Sequence, residues 1–394
     1  MSKLKVMTVF GTRPEAIKMA PVVKKLNNND QIDCIVTVTA QHREMLDQVL
    51  ELFQISTNYD LDIMKDRQTL GGVTRRVLSG LENVLKNEEP DLILVHGDTT
   101  TTFVASLAAF YQQIKIGHVE AGLRTQNKYL PFPEEMNRQL TGRLADFNFV
   151  PTSLAKENLL KENVDEQKIF VTGNTVIDAL LDTVNTVIDA LLDTVKEDYH
   201  FDNQILDNLD FARKKIILLT AHRRENLGQN MESIFSAVNE VIKESKNTEI
   251  VFPVHLNPAV WEIAAKYFSE NKKVHLIEPL DYEPFANLMN LSHLVLTDSG
   301  GIQEEAPSLG KPVLVLRDTT ERPEAIKMGT VKKVGTDYSK IKEQTLKLLN
   351  DDEYYRQMSN AVNPYSDGAA AERILNKILF DYELINESGE EFKL

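Results

Sequence analysis

The sequence predicts an α/β fold built from two parallel-sheet domains, and three observations carry that prediction. Short β-branched and apolar runs alternate with amphipathic stretches along the whole chain, which is how βαβ units read in sequence. The chain has 394 residues, 42% of them hydrophobic, enough for two cores. A polar stretch, 196–213, interrupts the alternation, so the domains are expected over 1–195 and 196–368.

Taken in order, strands are expected over 5–10, 34–39, 92–96, 114–118, 147–151 and 169–172, each an apolar run of strand length. The second half offers 215–220, 249–253, 274–277, 294–297 and 312–316. Helices fit between them, for example over 16–26 and 70–85, where apolar residues recur at helical spacing.

Charge narrows the function. With 59 acidic against 44 basic residues, the formal net charge is −15, which disfavours nucleic acid and anionic membrane as partners while allowing a local basic pocket. Cys34 is the one cysteine, so no intrachain disulfide forms and a reducing compartment is expected. No zinc-type spacing, secretory segment or apolar run of about 20 residues occurs. A soluble cytoplasmic protein without a metal is the expectation.

The segment with most chemistry is Asp298-Ser-Gly-Gly-Ile-Gln-Glu-Glu, between the strand at 294–297 and a helical stretch from Ile302. Ser299, Gly300 and Gly301 form a turn whose N–H groups suit a phosphate, and Glu304 and Glu305 follow within reach of ribose hydroxyls. The spacing is neither a dinucleotide fingerprint nor a P-loop. A plain strand–helix turn is the alternative.

Other strands also end in polar residues. Gly11-Thr-Arg-Pro-Glu-Ala-Ile-Lys18 puts Arg13 and Lys18 at a helix start. Asp98 follows the strand at 92–96, where it either faces a crevice or N-caps the next helix. Glu120 follows the next strand; beside Asp98 it forms a carboxylate pair expected to raise one pKa, unless Arg124 holds it structurally. Glu134 and Arg138 share one helix face and could form an ordinary salt bridge. In the second domain His222, Arg223 and Arg224 follow the strand at 215–220, with His255 and Phe285 as weaker candidates for proton transfer and base stacking.

Two repeats stand out. Arg-Pro-Glu-Ala-Ile-Lys-Met occurs at 13–19 and again at 322–328, each time with proline suited to the first helical position. An eleven-residue segment starting at Asn174 recurs without change from Asn185. Eleven residues are close to three helical turns, so the second copy either lengthens a helix by ~16 Å with its apolar face in line, or bulges out.

These motifs, in this order, resemble the bacterial non-hydrolysing UDP-N-acetylglucosamine 2-epimerases over nearly the whole chain. The resemblance implies a GT-B fold: two Rossmann-like doubly wound domains facing a cleft, with the C-terminal segment 369–394 packing back on the first domain, and a homodimer. It implies interconversion of UDP-N-acetylglucosamine and UDP-N-acetylmannosamine by anti elimination of UDP to 2-acetamidoglucal and re-addition, with no cofactor. Carried over by position, Asp98, Glu120, Glu134 and His222 match catalytic residues. Arg13, Lys18, Arg138, Phe285, Ser299, Gly300, Gly301, Glu305 and Arg322 match substrate-binding residues. Gln41, Arg67, Arg223 and His255 match an allosteric UDP-N-acetylglucosamine site, from which Glu44 departs by placing a carboxylate near a pyrophosphate. The rival readings are a GT-B glycosyltransferase, a hydrolysing epimerase and a UDP-sugar sensor; proton-transfer groups in excess of what sugar transfer needs count against the first.

Overall fold

A computed structural model describes residues 3–40, 43–65, 68–129, 131–192, 199–318 and 323–393. The chain forms two compact units, one of Met1–Ala179 with Tyr365–Leu394 and one of Leu180–Pro364. The first division falls ahead of the expected 195/196. The reason is the helix Thr175–Leu192, which starts in the first unit and runs through both the first eleven-residue copy and most of the second without a break. No helix among the described residues is long and apolar enough to cross a membrane.

The first unit is a seven-stranded parallel sheet. Its strands are β1 (Leu4–Phe10), β2 (Ile32–Val38), β3 (Tyr59–Asp60), β4 (Leu92–His96), β5 (Lys115–Val119), β6 (Phe147–Val150) and β7 (Ile169–Val171). The spatial order is β3-β2-β1-β4-β5-β6-β7. Both faces of such a sheet are covered, so its strands are near-continuous apolar runs rather than alternating ones. All five residues of β4 are buried. Met7 and Val9 of β1 pack with Val77 and Leu81 of the helix Leu70–Glu88 and Val104 of the helix Thr100–Tyr111. The helix Ala370–Asp381 packs on the helix Arg13–Asn27.

The second unit repeats the plan with β8 (Lys215–Thr220), β9 (Thr248–Pro253), β10 (Val274–Ile277), β11 (Leu294–Thr297), β12 (Val313–Val315) and β13 (Val331–Lys333), all parallel. The order is β10-β9-β8-β11-β12-β13. Its core centres on Phe235, edge-on to Phe252 at 5.5 Å and beside Phe268. In each sheet the strand order reverses direction once, between β1 and β4 and between β8 and β11. The carboxyl ends of those strands flank the crevice where open α/β sheets take ligands.

The short edge strands β3 and β13 were not expected from sequence. One is two residues long, and Val331-Lys-Lys carries a single apolar residue, so neither has a period to detect.

Candidate active site

The reversal point of the first sheet is lined by charge. Chain leaving β4 turns at Gly97, whose φ is +68°, and Asp98 follows. Thr99, not Asp98, caps the next helix by accepting from Thr102 N at 3.1 Å. Asp98 is therefore left to pair with the Arg138 guanidinium, and Asn137 Nδ2 donates to Asp98 O at 2.8 Å. Both partners come from the helix Glu134–Leu144. Arg138 does not make the helix salt bridge with Glu134 that its spacing allows. Its second partner is the fully buried Glu135, at 3.4 Å. Glu134 Oε2 is buried without a hydrogen-bond partner.

Glu120, at the end of β5, adopts φ +63°, a left-handed backbone unusual for a residue with a side chain. Its Oε1 receives Lys18 Nζ and, at 3.0 Å, Asn174 Nδ2; His96 Nε2 lies 3.5 Å from Oε2. Burial pushes this carboxyl up, but the charge and hydrogen bond of Lys18, His96 and the Asn174 amide more than reverse it, leaving the pKa at about 2. His96 is itself held neutral at about 3, chiefly by burial, so the cation that keeps Glu120 ionised at neutral pH is Lys18. The expected upward shift from a carboxylate pair is thus corrected for Glu120: Asp98 and Glu120 each face a cation of their own. Nor does Arg124 hold Glu120, for it forks onto Glu162 at 2.7 and 3.0 Å.

Three supporting groups were missed by sequence reasoning. Glu15 is buried and accepts from Gly11 N (3.0 Å), Thr12 N (2.8 Å) and the hydroxyls of Thr12, Thr99 and Thr102, tying the loop after β1 to the loop after β4. The spacing Thr12-x-x-Glu15 is a capping box, the signal that would have found it. Gly11 permits the close approach, since a Cβ there would lie 1.9 Å from Thr39 Oγ1. His118 Nε2 meets Gly97 O at 2.7 Å and steadies the turn ahead of Asp98. Asn174, the first residue of the duplicated segment, is positioned by its N–H to Tyr365 O at 2.7 Å. Arg13 opens the helix Arg13–Asn27 from the same loop as Gly11 and is half-buried.

In the second unit Asp298, wholly buried at the end of β11, organises the turn after β8. Its Oδ2 accepts from His222 N (2.9 Å), Arg223 N (2.9 Å) and Asn226 Nδ2 (3.0 Å). His222 Nδ1 lies 3.4 Å from Oδ1, and the ring stacks on His255 with centroids 5.3 Å apart at 9°. Burial lowers the His222 pKa against the opposing pull of Asp298. Ser299 N donates to Thr297 Oγ1 at 2.9 Å, which shapes the Ser299–Gly300–Gly301 turn. Of the two acids after it, Glu304 is buried, whereas Glu305 Oε1 lies 3.2 Å from where a Cβ on Gly301 would sit and so folds over the turn. Phe285 is half-buried on the helix Tyr282–Leu291 and His255 is exposed. Gln41, Arg67 and Arg322 lie outside the described residues.

Known proteins match both the sequence and this fold. The family described as UDP-N-acetylglucosamine 2-epimerase matches residues 24–379. The UDP-N-acetylglucosamine 2-epimerase of Bacillus subtilis (strain 168) is 57% identical over 392 residues, covering 100% of this chain and 99% of that protein. That of Escherichia coli (strain K12) is 54% identical over 377 residues, 95% and 98% of the two chains. The crystal structure of UDP-GlcNAc 2-epimerase from Neisseria meningitidis bound to UDP-GlcNAc superposes with a TM-score of 0.85 at 51% identity, covering 96% of this chain and all of that one. Two Rossmann-like parallel sheets of the GT-B kind, a charged loop cluster at the reversal point of each and full-length similarity of this depth place the chain in the UDP-N-acetylglucosamine 2-epimerase family.

Proposed function

We propose that the protein interconverts UDP-N-acetylglucosamine and UDP-N-acetylmannosamine without hydrolysis, by eliminating and re-adding UDP. The observation that carries the reading is the pair of carboxylates that follow β4 and β5, each matched to a cation in Asp98–Arg138 and Glu120–Lys18. A carboxylate base takes the C2 proton. The C–H pair becomes the C1=C2 bond of 2-acetamidoglucal, and the C1–O pair leaves with the β-phosphate of UDP. On return UDP adds to C1 and C2 receives a proton on its opposite face.

Asp98, Glu120, Glu134 and His222 are assigned the proton transfers. Arg13, Arg322 and the N–H groups of Ser299, Gly300 and Gly301 are assigned the diphosphate, whose charge must be held as the bond breaks. Phe285 is assigned the uracil, Glu305 the ribose, and Lys18 and Arg138 the orientation of their carboxylates. Family resemblance further supports a cytoplasmic homodimer that supplies UDP-N-acetylmannosamine for a surface polysaccharide or teichoic acid. It also supports an activating second UDP-N-acetylglucosamine site drawn from Gln41, Arg67, Arg223 and His255. Sigmoidal UDP-N-acetylmannosamine kinetics, made hyperbolic by a trace of UDP-N-acetylglucosamine, is the expected sign of that site; kinetics hyperbolic from the outset would remove it.

The test of the reaction is proton NMR of UDP-N-acetylglucosamine with the protein in D2O. Deuterium at C2 together with UDP-N-acetylmannosamine is the expected result. Free N-acetylmannosamine would make the enzyme a hydrolysing epimerase, and absence of exchange with nucleotide bound would leave a transferase, a sensor or an enzyme disabled by its eleven-residue duplication.

A further inference from the structure

We propose that Asp298 sets the tautomer of His222, so that Nδ1 carries the ring proton and Nε2 presents its lone pair. The proposal rests on the assignment of His222 to proton transfer. Asp298 is a positioning residue: it acts through the histidine and not on the sugar.

The two oxygens of Asp298 are made unlike by their surroundings. Oδ2 is occupied by three donors, the backbone N–H groups of His222 and Arg223 at 2.9 Å and Asn226 Nδ2 at 3.0 Å. Asn226 is itself tied to Leu316 O at 3.0 Å, so the carboxylate cannot rotate without breaking the turn. Oδ1 is buried with no hydrogen-bond partner. The ring nitrogen recorded beside it is His222 Nδ1 at 3.4 Å. A bare Nδ1 there would set its lone pair against that of a wholly buried carboxylate oxygen. An Nδ1–H instead offers the orphaned oxygen a charge-assisted bond once the ring tilts by a few tenths of an ångström. The stack on His255 fixes the plane in which the ring turns. Nε2, on the opposite edge of the imidazole, is then the basic nitrogen.

Asp298→Asn tests this with almost no change of shape. The amide oxygen must stay at the Oδ2 position to accept three donors, which puts the NH2 at the Oδ1 position. An NH2 there donates to Nδ1 and forces the Nε2–H tautomer. The measurement is long-range 1H–15N NMR of histidine-labelled protein, with the His222 signals assigned by their loss in His222→Gln.

The expected result is Nδ1–H in the wild type, Nε2–H in Asp298→Asn, UDP affinity by calorimetry within about threefold of the wild type, and kcat lower by about 10³-fold or more, the scale seen when a histidine base is held in the wrong tautomer. Nε2–H in the wild type overturns the proposal whatever the variant does. So does an unchanged tautomer in a folded Asp298→Asn protein, even one with low kcat, because Asp298 is then only a scaffold. A fully active His222→Gln would instead sink the assignment of His222 itself, which separates the two failures.

Discussion

Asn174 donates from Nδ2 to Glu120 Oε1 at 3.0 Å while Tyr365 O holds the Asn174 backbone N–H at 2.7 Å. One residue thus joins a buried carboxylate of the candidate site to the place where the chain re-enters the first unit. The approach is close: Gly173, at φ +87°, leaves room for Ser366, whose Oγ would otherwise lie 2.8 Å from a Cβ.

Asn174→Ala removes a donor from an ionised, buried acceptor, an interaction of about 1.5–3 kcal/mol. If half of that is felt in turnover, kcat falls by about 4- to 13-fold. Steady-state epimerisation assays and a thermal melt check this. Asn185, the same residue in the second copy, lies eleven positions further along and should not rescue the variant; full activity would show that Glu120 needs no help from this side.

Lys18→Met should reverse the acid response of stability. In the wild type the Glu120 pKa is depressed from 4.5 to about 2. Its contribution is therefore complete above about pH 4.5 and is lost as pH falls toward 2. Without Lys18, burial dominates and the carboxyl titrates above its ordinary value, so the variant regains stability on acidification. Melts between pH 7 and pH 3 should show the gap between the two proteins narrowing as pH falls; a constant gap would mean that Lys18 does not govern Glu120.

Arg124 should matter for folding and not for turnover. Its side chain is 1% exposed and its fork sits on Glu162 and Leu123 O. Arg124→Ala strands the Glu162 charge and is expected to cost about 3 kcal/mol in denaturant unfolding. Glu162→Gln, which keeps an acceptor, should cost less. Both should keep kcat per folded molecule within about threefold, a difference of under ~0.7 kcal/mol in barrier.

Deletion of one eleven-residue copy is expected to leave activity nearly unchanged. The copies are identical, so removing either gives the same chain, in which Asn174 still follows Gly173 and still meets Glu120. Turnover assays of the shortened protein check this. A large gain in kcat would show that the extra turns hold the enzyme back.

Most of the sheet framework was legible because buried parallel strands are written as uninterrupted apolar runs; β4, β8, β10 and β11 have the bounds that their composition predicts. Polar residues placed just after strands were legible for the same reason, since parallel sheets put all such positions on one edge. What sequence could not supply was the pairing. That Arg138 chooses Asp98 over Glu134, or that Lys18 rather than Arg124 answers Glu120, depends on which loops stand side by side, and no local spacing records it. Asp298 was quoted only as the start of a glycine turn, because the donors it gathers come from another strand's loop.

Glu120 combines a left-handed backbone with a desolvated charge, and Lys18 exists in that setting to make the charge tolerable. A side chain held at such a φ carries about 1–3 kcal/mol of strain, and exchanging a buried ion pair for apolar groups is often neutral or stabilising. Glycine at 120 with methionine at 18 would shed both burdens. A laboratory selection scored on heat resistance alone would therefore be drawn to this pair early, and on the proposed assignment of Glu120 to proton transfer its winners would be sturdier proteins that turn nothing over.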